Sequence, residues 1–270
     1  MALTGIELIA EAFARARANG RRAAMMPYLM GGYPDLDTSL AIGLAYADAG
    51  ADLVELGVPF SDPLADGPVI HAAAVAALSG GATLPAVLEV GRAIAQRVPV
   101  IVMCYTNVIF ARGLERFADA LVAASVSGLI VPDLPLEEAS EALLACDPRG
   151  VALVPLVAPT TPEERLRRIG ASARGFIYTV SLTGTTGERA GAGDGAELKA
   201  VVARAAAHTE VPVAVGFGIG TPQQAAAAAA AGADGVIVGS RLVRAAGEAE
   251  DPAAAVAGLV RDFSAALSAP

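Results

Sequence analysis

The chain has 270 residues, of which 54% are hydrophobic and 17% charged, and its formal net charge is −9. Apolar content this high supplies a sizeable core and excludes a disordered chain, while the acidic balance disfavours nucleic acid and anionic membrane surfaces as partners. The apolar stretches are short or dominated by alanine, so we expect no membrane span and no secretory signal. With only two cysteines, which are too few for a disulfide framework, a cytoplasmic protein is the simplest interpretation.

Apolar runs of strand length alternate with helical segments along the whole chain. Nearly continuous apolar strands are typical of a parallel sheet that is buried on both faces. The predicted strands cover 24–31, 52–58, 99–104, 128–132, 151–157, 175–181, 212–216 and 235–239.

Residues that start and stop helices stand between these strands. Asp35 or Asp37 suits the N-cap of the first intervening helix, and Thr221, just before a proline, has the pattern of a cap followed by a first turn. Gly50 and Gly232 stand where two of the helices should end. The spacing therefore predicts a regular alternation of strands and helices.

A recurrence in the sequence supports repeated strand and helix units. The segments 49–57 and 231–239 share a helix end, a turn and a buried strand, and 124–131 is a looser echo. No linker rich in Pro, Gly or Ser separates the units, so we expect one domain over 1–270. Eight such units in about 250 residues predict an α/β fold of the (β/α)8 TIM barrel type, with a doubly wound open sheet as the alternative.

Glu55 is the most informative residue of the second predicted strand. Val54 and Leu56 suit the face that packs on the helices. Leu53, Glu55 and Gly57 then point into the barrel, where an ionised carboxylate is costly unless something compensates it. A buried ion pair is the structural alternative, but no lysine or arginine stands near Glu55 in the sequence. Burial without a cation raises the pKa of a carboxyl group toward neutrality, as a general acid and base requires.

The loop that follows this strand, 59–68, brings two more carboxylates to the mouth of the barrel. Asp62 and Asp66 each stand beside a turn-forming proline or glycine, so hydrogen bonding within the turn is the structural alternative for both. Of the two residues, Asp66 is better placed to act on a ligand.

Two glycine-rich turns have the pattern of a phosphate site. Gly216 and Gly218 end the seventh predicted strand, and the pair Gly239 and Ser240 ends the eighth. Glycines let the backbone approach an anion closely, and the N–H groups at a helix N-terminus point at it. Because the loops after strands seven and eight form the recurrent phosphate site of this fold, we predict a phosphate site here.

The segment 181–195 is too long and too rich in glycine for a routine connection, so it is either disordered or a lid over the site. In a closed lid Thr183, Thr186 and Gly187 could help to hold a ligand. Three tyrosines stand at or near predicted strand ends, where a ring could stack on a planar substrate. Core packing is the alternative for each of them: Tyr28, Tyr105 and Tyr178.

Other polar residues are weaker candidates. Lys199, the only lysine, falls on a predicted surface helix, and His208 at the end of that helix is placed to interact with its dipole. His71 begins a helix after the acidic loop and could lie near the site. Asp133, at the end of the fourth strand, is either a helix cap or a ligand contact.

The segment 54–68, VELGVPFSDPLADGP, resembles the signature of the tryptophan synthase alpha subunit family almost position for position. Further matches occur in the expected order, so the resemblance extends over the whole chain. They are Tyr105-x-Asn107, VPDLP at 131–135, RGFIY at 174–178, Thr186-Gly187, Gly216-Phe-Gly218 and Gly239-Ser240.

The resemblance implies cleavage of indole-3-glycerol phosphate to indole and glyceraldehyde 3-phosphate. Glu55 would protonate the indole ring carbon, and Asp66 would hold the indole N–H and its developing positive charge. No metal is implied. The family usually has Phe at the position of Tyr28 and often has Leu at that of Met103. The implied substrate-binding residues are Tyr28, Met103, Tyr105, Tyr178 and Thr186, and the implied phosphate-binding residues are Gly187, Gly216, Gly218, Gly239 and Ser240.

The residue inventory supports the same reaction by exclusion. A retro-aldol cleavage needs an electron sink, but the only lysine for an imine is the misplaced Lys199, and a zinc enolate lacks ligands. An indole ring protonated at carbon can itself be the sink, with carboxylates alone. Indole-glycerol phosphate synthase would want a catalytic lysine and a pentose-phosphate epimerase metal ligands, so both are weaker alternatives. A non-catalytic ligand-binding barrel is a third alternative, against which the unpaired Glu55 argues.

The rim loop 59–64 is unusually apolar and predicts a protein interface. The structural alternative is that Phe60 and Leu64 fold back onto the barrel. The resemblance names the partner as the pyridoxal-phosphate-dependent β subunit of tryptophan synthase, in an α2β2 complex. The cofactor would sit on that β subunit, and this chain would use none.

Overall fold

The computed structural model describes residues 3–180, 195–216 and 218–268. All but the last residue of the segment 181–195 lies outside these ranges. The predicted lid and three of the candidate ligand contacts therefore stay predictions: Thr183, Thr186 and Gly187.

Every strand in the described part of the chain lies within one of the predicted segments. The strands are β1 Ala24–Met30, β2 Val54–Gly57, β3 Val100–Met103, β4 Gly128–Ile130, β5 Ala152–Val154, β6 Leu156–Val157, β7 Ile177–Val180, β8 Val213–Gly216 and β9 Gly235–Val238. They form one sheet in the order β5-β4-β3-β2-β1-β9-β8-β7-β6, and every pairing is parallel.

The sheet closes into a barrel through Pro155. Its two end strands, β5 and β6, are consecutive in the chain with only this proline between them. The strand predicted over 151–157 is therefore present but divided at Pro155, because proline has no backbone N–H to continue a ladder. Its carbonyl still accepts a hydrogen bond from the Tyr178 N–H at 2.9 Å. The near-closed barrel of eight strand positions confirms the predicted (β/α)8 class over the open sheet.

Helices separate the strands and surround the barrel. Those in the described ranges are α1 Gly5–Ala18, α2 Leu36–Asp48, α3 Pro68–Ser79, α4 Leu84–Ile94, α5 Thr106–Phe110, α6 Leu114–Ala123, α7 Ser140–Cys146, α8 Glu163–Ser172, α9 Gly195–Ala206, α10 Pro222–Ala230, α11 Ser240–Glu248 and α12 Pro252–Ala266. Two 3-10 turns, Leu136–Glu138 and Asp147–Arg149, flank α7.

Helix α1 closes the end of the barrel where the strands begin. Its buried residues Ile9, Phe13 and Ala16 belong to the same apolar cluster as the side chains inside the barrel. The rings of Phe13 and Phe176 lie 5.9 Å apart. No element is predicted from the sequence before residue 24, so only the structure shows that α1 plugs this end of the barrel. It leaves the opposite end of the barrel, where the strands finish, as the open mouth.

The alternation predicted for the second strand is confirmed. Leu53 belongs to the apolar cluster inside the barrel, together with Ile101 and Ile130 of the neighbouring strands. Val54 and Leu56 belong instead to the larger cluster between the sheet and the surrounding helices. Glu55, which lies between Val54 and Leu56, therefore points into the barrel.

The predicted helix boundaries have local causes. Asp35, not Asp37, caps α2 by accepting a hydrogen bond from the Thr38 N–H at 2.8 Å. Gly50 and Gly232 follow α2 and α10 with φ of +99° and +100°, a conformation that glycine adopts without strain. Each helix thus stops where the next strand has to begin.

The two similar segments of the sequence, 49–57 and 231–239, each place an aspartate at the closed end of the barrel, where it binds a neighbouring strand. Asp52 accepts a hydrogen bond from the Met25 N–H at 2.8 Å and pairs with Arg21. Asp234 accepts one from the Val213 N–H at 3.0 Å and pairs with an arginine of α1 at 2.9 Å. In both repeats the aspartate binds the first residues of the neighbouring strand, which fixes the register of the pair.

Replacing Asp52 with alanine should lower the free energy of unfolding by about 3 kcal/mol, because the substitution removes the acceptor of the Met25 N–H and the ion-pair partner of the partly buried Arg21, which keeps its hydrogen bond to the Gly50 carbonyl. Asp234→Ala is the matched control: its arginine is half exposed, so the loss should be nearer 1 to 2 kcal/mol, that is, about one hydrogen bond. Urea unfolding measures both values. Equal losses in the two variants would contradict this difference in burial.

Within the described residues, no single helix is long and apolar enough to cross a membrane. One pair of helices, α3 and α4, meets the length and composition of a span but is bent by 112°. The same part of the chain contains no group of three or more His, Cys, Asp or Glu residues arranged to hold a metal ion.

Candidate active site

A pocket opens at the mouth of the barrel, where the strands end. It encloses about 670 Å³ including the space at its entrance. Carboxylates line one part of the wall, the turns after β8 and β9 line another, and apolar side chains line most of the remainder. The lining residues are Tyr28, Glu55, Ala65, Asp66, Ile70, Met103, Pro132, Leu156, Tyr178, Gly218, Ile219, Ile237, Gly239 and Ser240.

Glu55 lies at the bottom of this pocket on β2 and is 2% exposed. It makes no ion pair with any described Arg, Lys or His, and its Oε2 atom is buried without a hydrogen-bond partner among these residues. Burial, and secondly the negative charge of Asp66, raise the pKa of Glu55 to about 8. The carboxyl group is therefore protonated at neutral pH and can both give up a proton and take one back.

Asp66 lies in the loop after β2 and faces the same pocket. Its carboxylate accepts a hydrogen bond from the Tyr105 hydroxyl at 2.9 Å. Burial raises the pKa of Asp66, whereas that hydrogen bond and the charge of His71 lower it. Asp62, by contrast, is exposed and accepts a hydrogen bond from its neighbour Ser61 at 2.5 Å. The structure thus brings only Asp66, of these two aspartates, to the pocket.

Tyr105 holds the acidic loop in place from the end of β3. Its hydroxyl accepts a hydrogen bond from the Ala65 N–H at 3.1 Å while it donates to Asp66. Its ring stacks on Phe60 with centroids 5.3 Å apart. Within the described residues Tyr105 does not itself line the pocket, so it acts on the pocket through Asp66.

Two tyrosines of the pocket wall depend on a glycine in the neighbouring strand. Tyr28 on β1 lies over Gly57 on β2, where a Cβ would come within 2.0 Å of the tyrosine hydroxyl. Tyr178 on β7 lies over Gly216 on β8 in the same way, with a closest approach of 2.2 Å. Gly216, predicted to bind phosphate, is not among the described lining residues. Its phosphate contact stays a prediction, and packing against Tyr178 already requires a glycine there.

The side of the pocket beyond β8 and β9 has the features of an anion site. Gly218 has φ of +78°, which favours glycine. The first turn of α10 is already capped, because the Gln224 side chain accepts hydrogen bonds from the Gly220 and Thr221 N–H groups at 2.8 and 3.0 Å. No described side chain caps α11, which begins at Ser240. The first N–H groups of α11 therefore have no capping side chain among the described residues, an arrangement that suits an anion.

Comparison with known proteins agrees with this geometry. The family model described as tryptophan synthase alpha chain matches residues 13–266. The tryptophan synthase alpha chain of Prochlorococcus marinus (strain MIT 9313) is 50% identical over 238 residues, which cover 87% of this chain and 86% of the relative. That of Thermosynechococcus vestitus is 43% identical over 264 residues, 97% of this chain and 98% of the relative. The chain belongs to the tryptophan synthase alpha chain family.

Solved structures give the same result for the fold of this alpha chain. A structure of Mycobacterium tuberculosis tryptophan synthase superposes with a TM-score of 0.89 at 38% identity, covering 97% of this chain and 98% of the other. Tryptophan synthase subunit alpha from Legionella pneumophila superposes with a TM-score of 0.87 at 34% identity, covering 98% and 99%. This alpha chain is a carbon–carbon lyase of tryptophan biosynthesis that cleaves indole-3-glycerol phosphate to indole and glyceraldehyde 3-phosphate.

The pocket of this alpha chain also contains residues for which no role is predicted from the sequence. All of them are apolar, and they are Ala65, Ile70, Pro132, Leu156, Ile219 and Ile237. A sequence signal exists for Leu156 and Ile237, because both alternate inward at the ends of their strands. Ile70 enters from the first turn of α3, and no strand pattern indicates it.

The weaker candidates lie outside this alpha chain's pocket. Asp133 is a helix cap, since it accepts hydrogen bonds from the Thr106 N–H at 2.9 Å and hydroxyl at 2.6 Å. Lys199 is exposed on α9, as expected. His208, predicted to end α9, lies two residues beyond the end of that helix and interacts with Glu163 of α8. His71 is exposed on α3, and its charge lowers the pKa of Asp66.

The buried Glu55 should make this alpha chain less stable as the pH rises from about 4.5 to about 8. In that window the folded state holds a proton that the unfolded state has released, so the free energy of unfolding falls with pH. Glu55→Gln cannot ionise and should exceed the wild type by a few kcal/mol at pH about 8.5, with a smaller difference near pH 5. Urea unfolding at the two pH values measures the change. A pH-independent difference between the two proteins would contradict it.

Proposed function

We propose that Glu55 is the acid and base of the cleavage and that Asp66 stabilises the positive charge that develops on the indole nitrogen. The observation that carries this proposal is the buried, uncompensated carboxyl group of Glu55, whose pKa of about 8 suits proton transfer in both directions. Asp66 supports it, because its carboxylate faces the same pocket and is fixed by the Tyr105 hydroxyl.

The proposed reaction begins with transfer of the Glu55 proton to the ring carbon that bears the glycerol chain. The ring nitrogen then carries the positive charge, which the Asp66 carboxylate stabilises. The Glu55 carboxylate next takes the proton of the hydroxyl on the adjacent chain carbon. As the carbon–carbon bond breaks, its electron pair returns to the ring and neutralises the nitrogen. Indole and glyceraldehyde 3-phosphate leave, and Glu55 is protonated again.

Two further parts of the pocket complete the proposal. Tyr28, Met103 and Tyr178 form apolar walls that suit a flat indole ring, and all three line the pocket. The uncapped start of α11 suits the phosphate group. The proposed phosphate ligands are Gly187, Gly216, Gly218, Gly239 and Ser240, and Thr186 is proposed to contact the substrate.

Turnover of indole-3-glycerol phosphate by variants at the two carboxylates tests the assignment. Glu55→Gln removes the proton that is transferred, and Asp66→Asn removes the stabilising charge. A binding protein that merely retained the phosphate site would show no turnover in the wild type, which separates that alternative from the enzyme.

A protein partner is also part of the proposal: the β subunit of tryptophan synthase, in an α2β2 complex. The similar M. tuberculosis structure is one of tryptophan synthase, which supports this partner. On the rim, Phe60 packs back on Tyr105, but Leu64 is 79% exposed beside the pocket entrance. An apolar side chain so exposed at the mouth supports docking there, where indole could pass directly to the second enzyme.

Leu64→Asp should abolish the stimulation of cleavage by the β subunit while basal cleavage stays at the wild-type rate, because Leu64 does not line the pocket. Charge reversal at the exposed Asp62 should act in the same direction. Val122→Asp on α6, where the valine is 47% exposed, is the matched control and should respond as the wild type does. Steady-state rates and co-elution with the β subunit measure the effect. If Leu64→Asp co-elutes and is stimulated normally, the docking site is wrong.

The remaining parts of the proposal concern cofactor, compartment and domain. Pyridoxal phosphate would belong to the β subunit, since the only lysine of this chain, Lys199, is exposed on an outer helix. Cys104 and Cys146 are buried and unpaired, which suits the reducing cytoplasm. We further propose that 1–270 form one domain built around the single barrel.

A further inference from the structure

The proposed reaction assigns no role to the Tyr28 hydroxyl, although this hydroxyl lies close to the carboxyl group of Glu55. Tyr28 and Glu55 are Cα partners in the register of β1 and β2, and both line the pocket. The Tyr28 ring crosses β2 above Gly57, with its hydroxyl 2.0 Å from where a Cβ of that residue would be. Because Gly57 is the next inward position after Glu55, the hydroxyl lies beside the acid on the same strand.

Both groups lack a strong partner among the described residues. The Tyr28 hydroxyl donates to Met30 Sδ at 4.0 Å, and a thioether sulfur is a weak acceptor. Oε2 of Glu55 is buried and accepts no hydrogen bond from these residues. The Tyr28 hydroxyl, which has only a weak acceptor among the described residues, therefore lies on the strand next to that of Glu55. Oε2 of Glu55 has no donor among the same residues.

We propose that Tyr28 is a positioning residue whose hydroxyl turns from the Met30 sulfur to Oε2 of Glu55 once Glu55 has given up its proton. The proposal rests on the role proposed above for Glu55. Burial and the nearby carboxylates raise the pKa of Tyr28 well above its usual value, so the hydroxyl keeps its proton and acts only as a donor. A hydrogen bond to the ionised carboxylate favours that form and holds it in place for the return of the proton.

The other titratable groups around Glu55 come from four elements. Asp66, in the loop after β2, adds a negative charge that opposes ionisation, and His71 on α3 offsets the charge of Asp66. Tyr105, after β3, is engaged with Asp66. Tyr178 on β7 packs over Gly216 of β8, and burial and the charge of Glu55 raise the pKa of the Tyr178 hydroxyl. Of these hydroxyl groups, that of Tyr28 belongs to the residue in register with Glu55.

The Tyr28→Phe variant removes the hydroxyl and keeps the ring. We expect the titration midpoint of Glu55, followed by NMR of 13C-labelled glutamate carboxyl groups in the free enzyme, to rise by about one pH unit. The signal is assigned by its loss in Glu55→Gln. We also expect kcat to fall about tenfold with KM within about twofold of wild type, because the lost contact belongs to the ionised intermediate and not to substrate binding.

Tyr33→Phe is the matched control, since the Tyr33 hydroxyl lies against Gly247 of α11 and Tyr33 is not among the lining residues. It should leave both the midpoint and kcat at their wild-type values. If Tyr28→Phe titrates at the wild-type midpoint, the proposal is wrong, whatever its activity. If the midpoint rises but Glu55→Gln still cleaves at the wild-type rate, the Tyr28 contact is supported and the catalytic role of Glu55 fails.

Discussion

Replacing Glu55 with glutamine should lower kcat for cleavage of indole-3-glycerol phosphate by about 10³-fold or more. The amide has nearly the shape of the carboxyl group but cannot transfer a proton, and positioned acid and base groups contribute about 10² to 10⁴-fold each. Glu55 is expected to act twice in one turnover, so the loss should lie toward the upper end. Steady-state kinetics near pH 7, where the wild-type group is protonated, measures it.

Binding and a distant carboxyl group supply the controls for this variant. The affinity of Glu55→Gln for glyceraldehyde 3-phosphate should stay within about twofold of wild type, because the proposed phosphate side of the pocket is unchanged. Glu89→Gln, at an exposed glutamate of α4, should keep the wild-type kcat. Activity of Glu55→Gln within about tenfold of the wild type would contradict the assignment of the acid and base.

Asp66→Asn should lower kcat by about 10²-fold or more with a smaller effect on KM. The positive charge on the indole nitrogen exists only after protonation of the ring, so the lost attraction belongs to the transition state rather than to the bound substrate. The Asp66 carboxylate is partly buried, which strengthens its attraction for this charge relative to the same attraction in water. Separate measurement of kcat and KM distinguishes this from a plain loss of substrate affinity.

Two further variants, Tyr105→Phe and Asp62→Asn, distinguish the effect of the Asp66 charge from the effect of its position. Tyr105→Phe keeps the Asp66 carboxylate but removes its hydrogen bond and the one from Ala65, so kcat should fall by roughly 5- to 20-fold, less than in Asp66→Asn. Asp62→Asn changes the exposed aspartate of the same loop and should leave kcat unchanged. Equal losses in Asp66→Asn and Tyr105→Phe would mean that Asp66 acts through loop order and not through its charge.

Local patterns were sufficient to predict much of the framework and its most informative residue. Each strand is an apolar run flanked by turn residues, and side-chain alternation within one strand gives the inward direction of Glu55. The absence of a lysine or arginine near Glu55 in the sequence predicts its raised pKa, which the structure places at about 8. These inferences succeed because they depend on residues a few positions apart.

Predictions that depended on how one segment meets another were less complete. The run 151–157 has the composition of one strand, but Pro155 divides it between β4 on one side and β7 on the other. The N-terminal segment has helix-forming residues, but its place as the plug of the barrel depends on contacts with the strands. On the rim loop, Phe60 folds back because its ring stacks on that of Tyr105, whereas Leu64 stays exposed.

The sequence by itself therefore determined the order of strands and helices, the barrel class and the inward carboxylate of this alpha chain. Only the tertiary structure decided that Tyr105 fixes Asp66 from 39 residues away and that Gly216 makes room for Tyr178. It also decided that a side chain caps α10, whereas no side chain in the described part of the chain caps α11. Secondary structure follows from backbone preferences and hydrophobic periodicity over a few residues, which a sequence displays directly. Contacts between strand ends follow from the register and closure of the whole barrel, which no single segment contains.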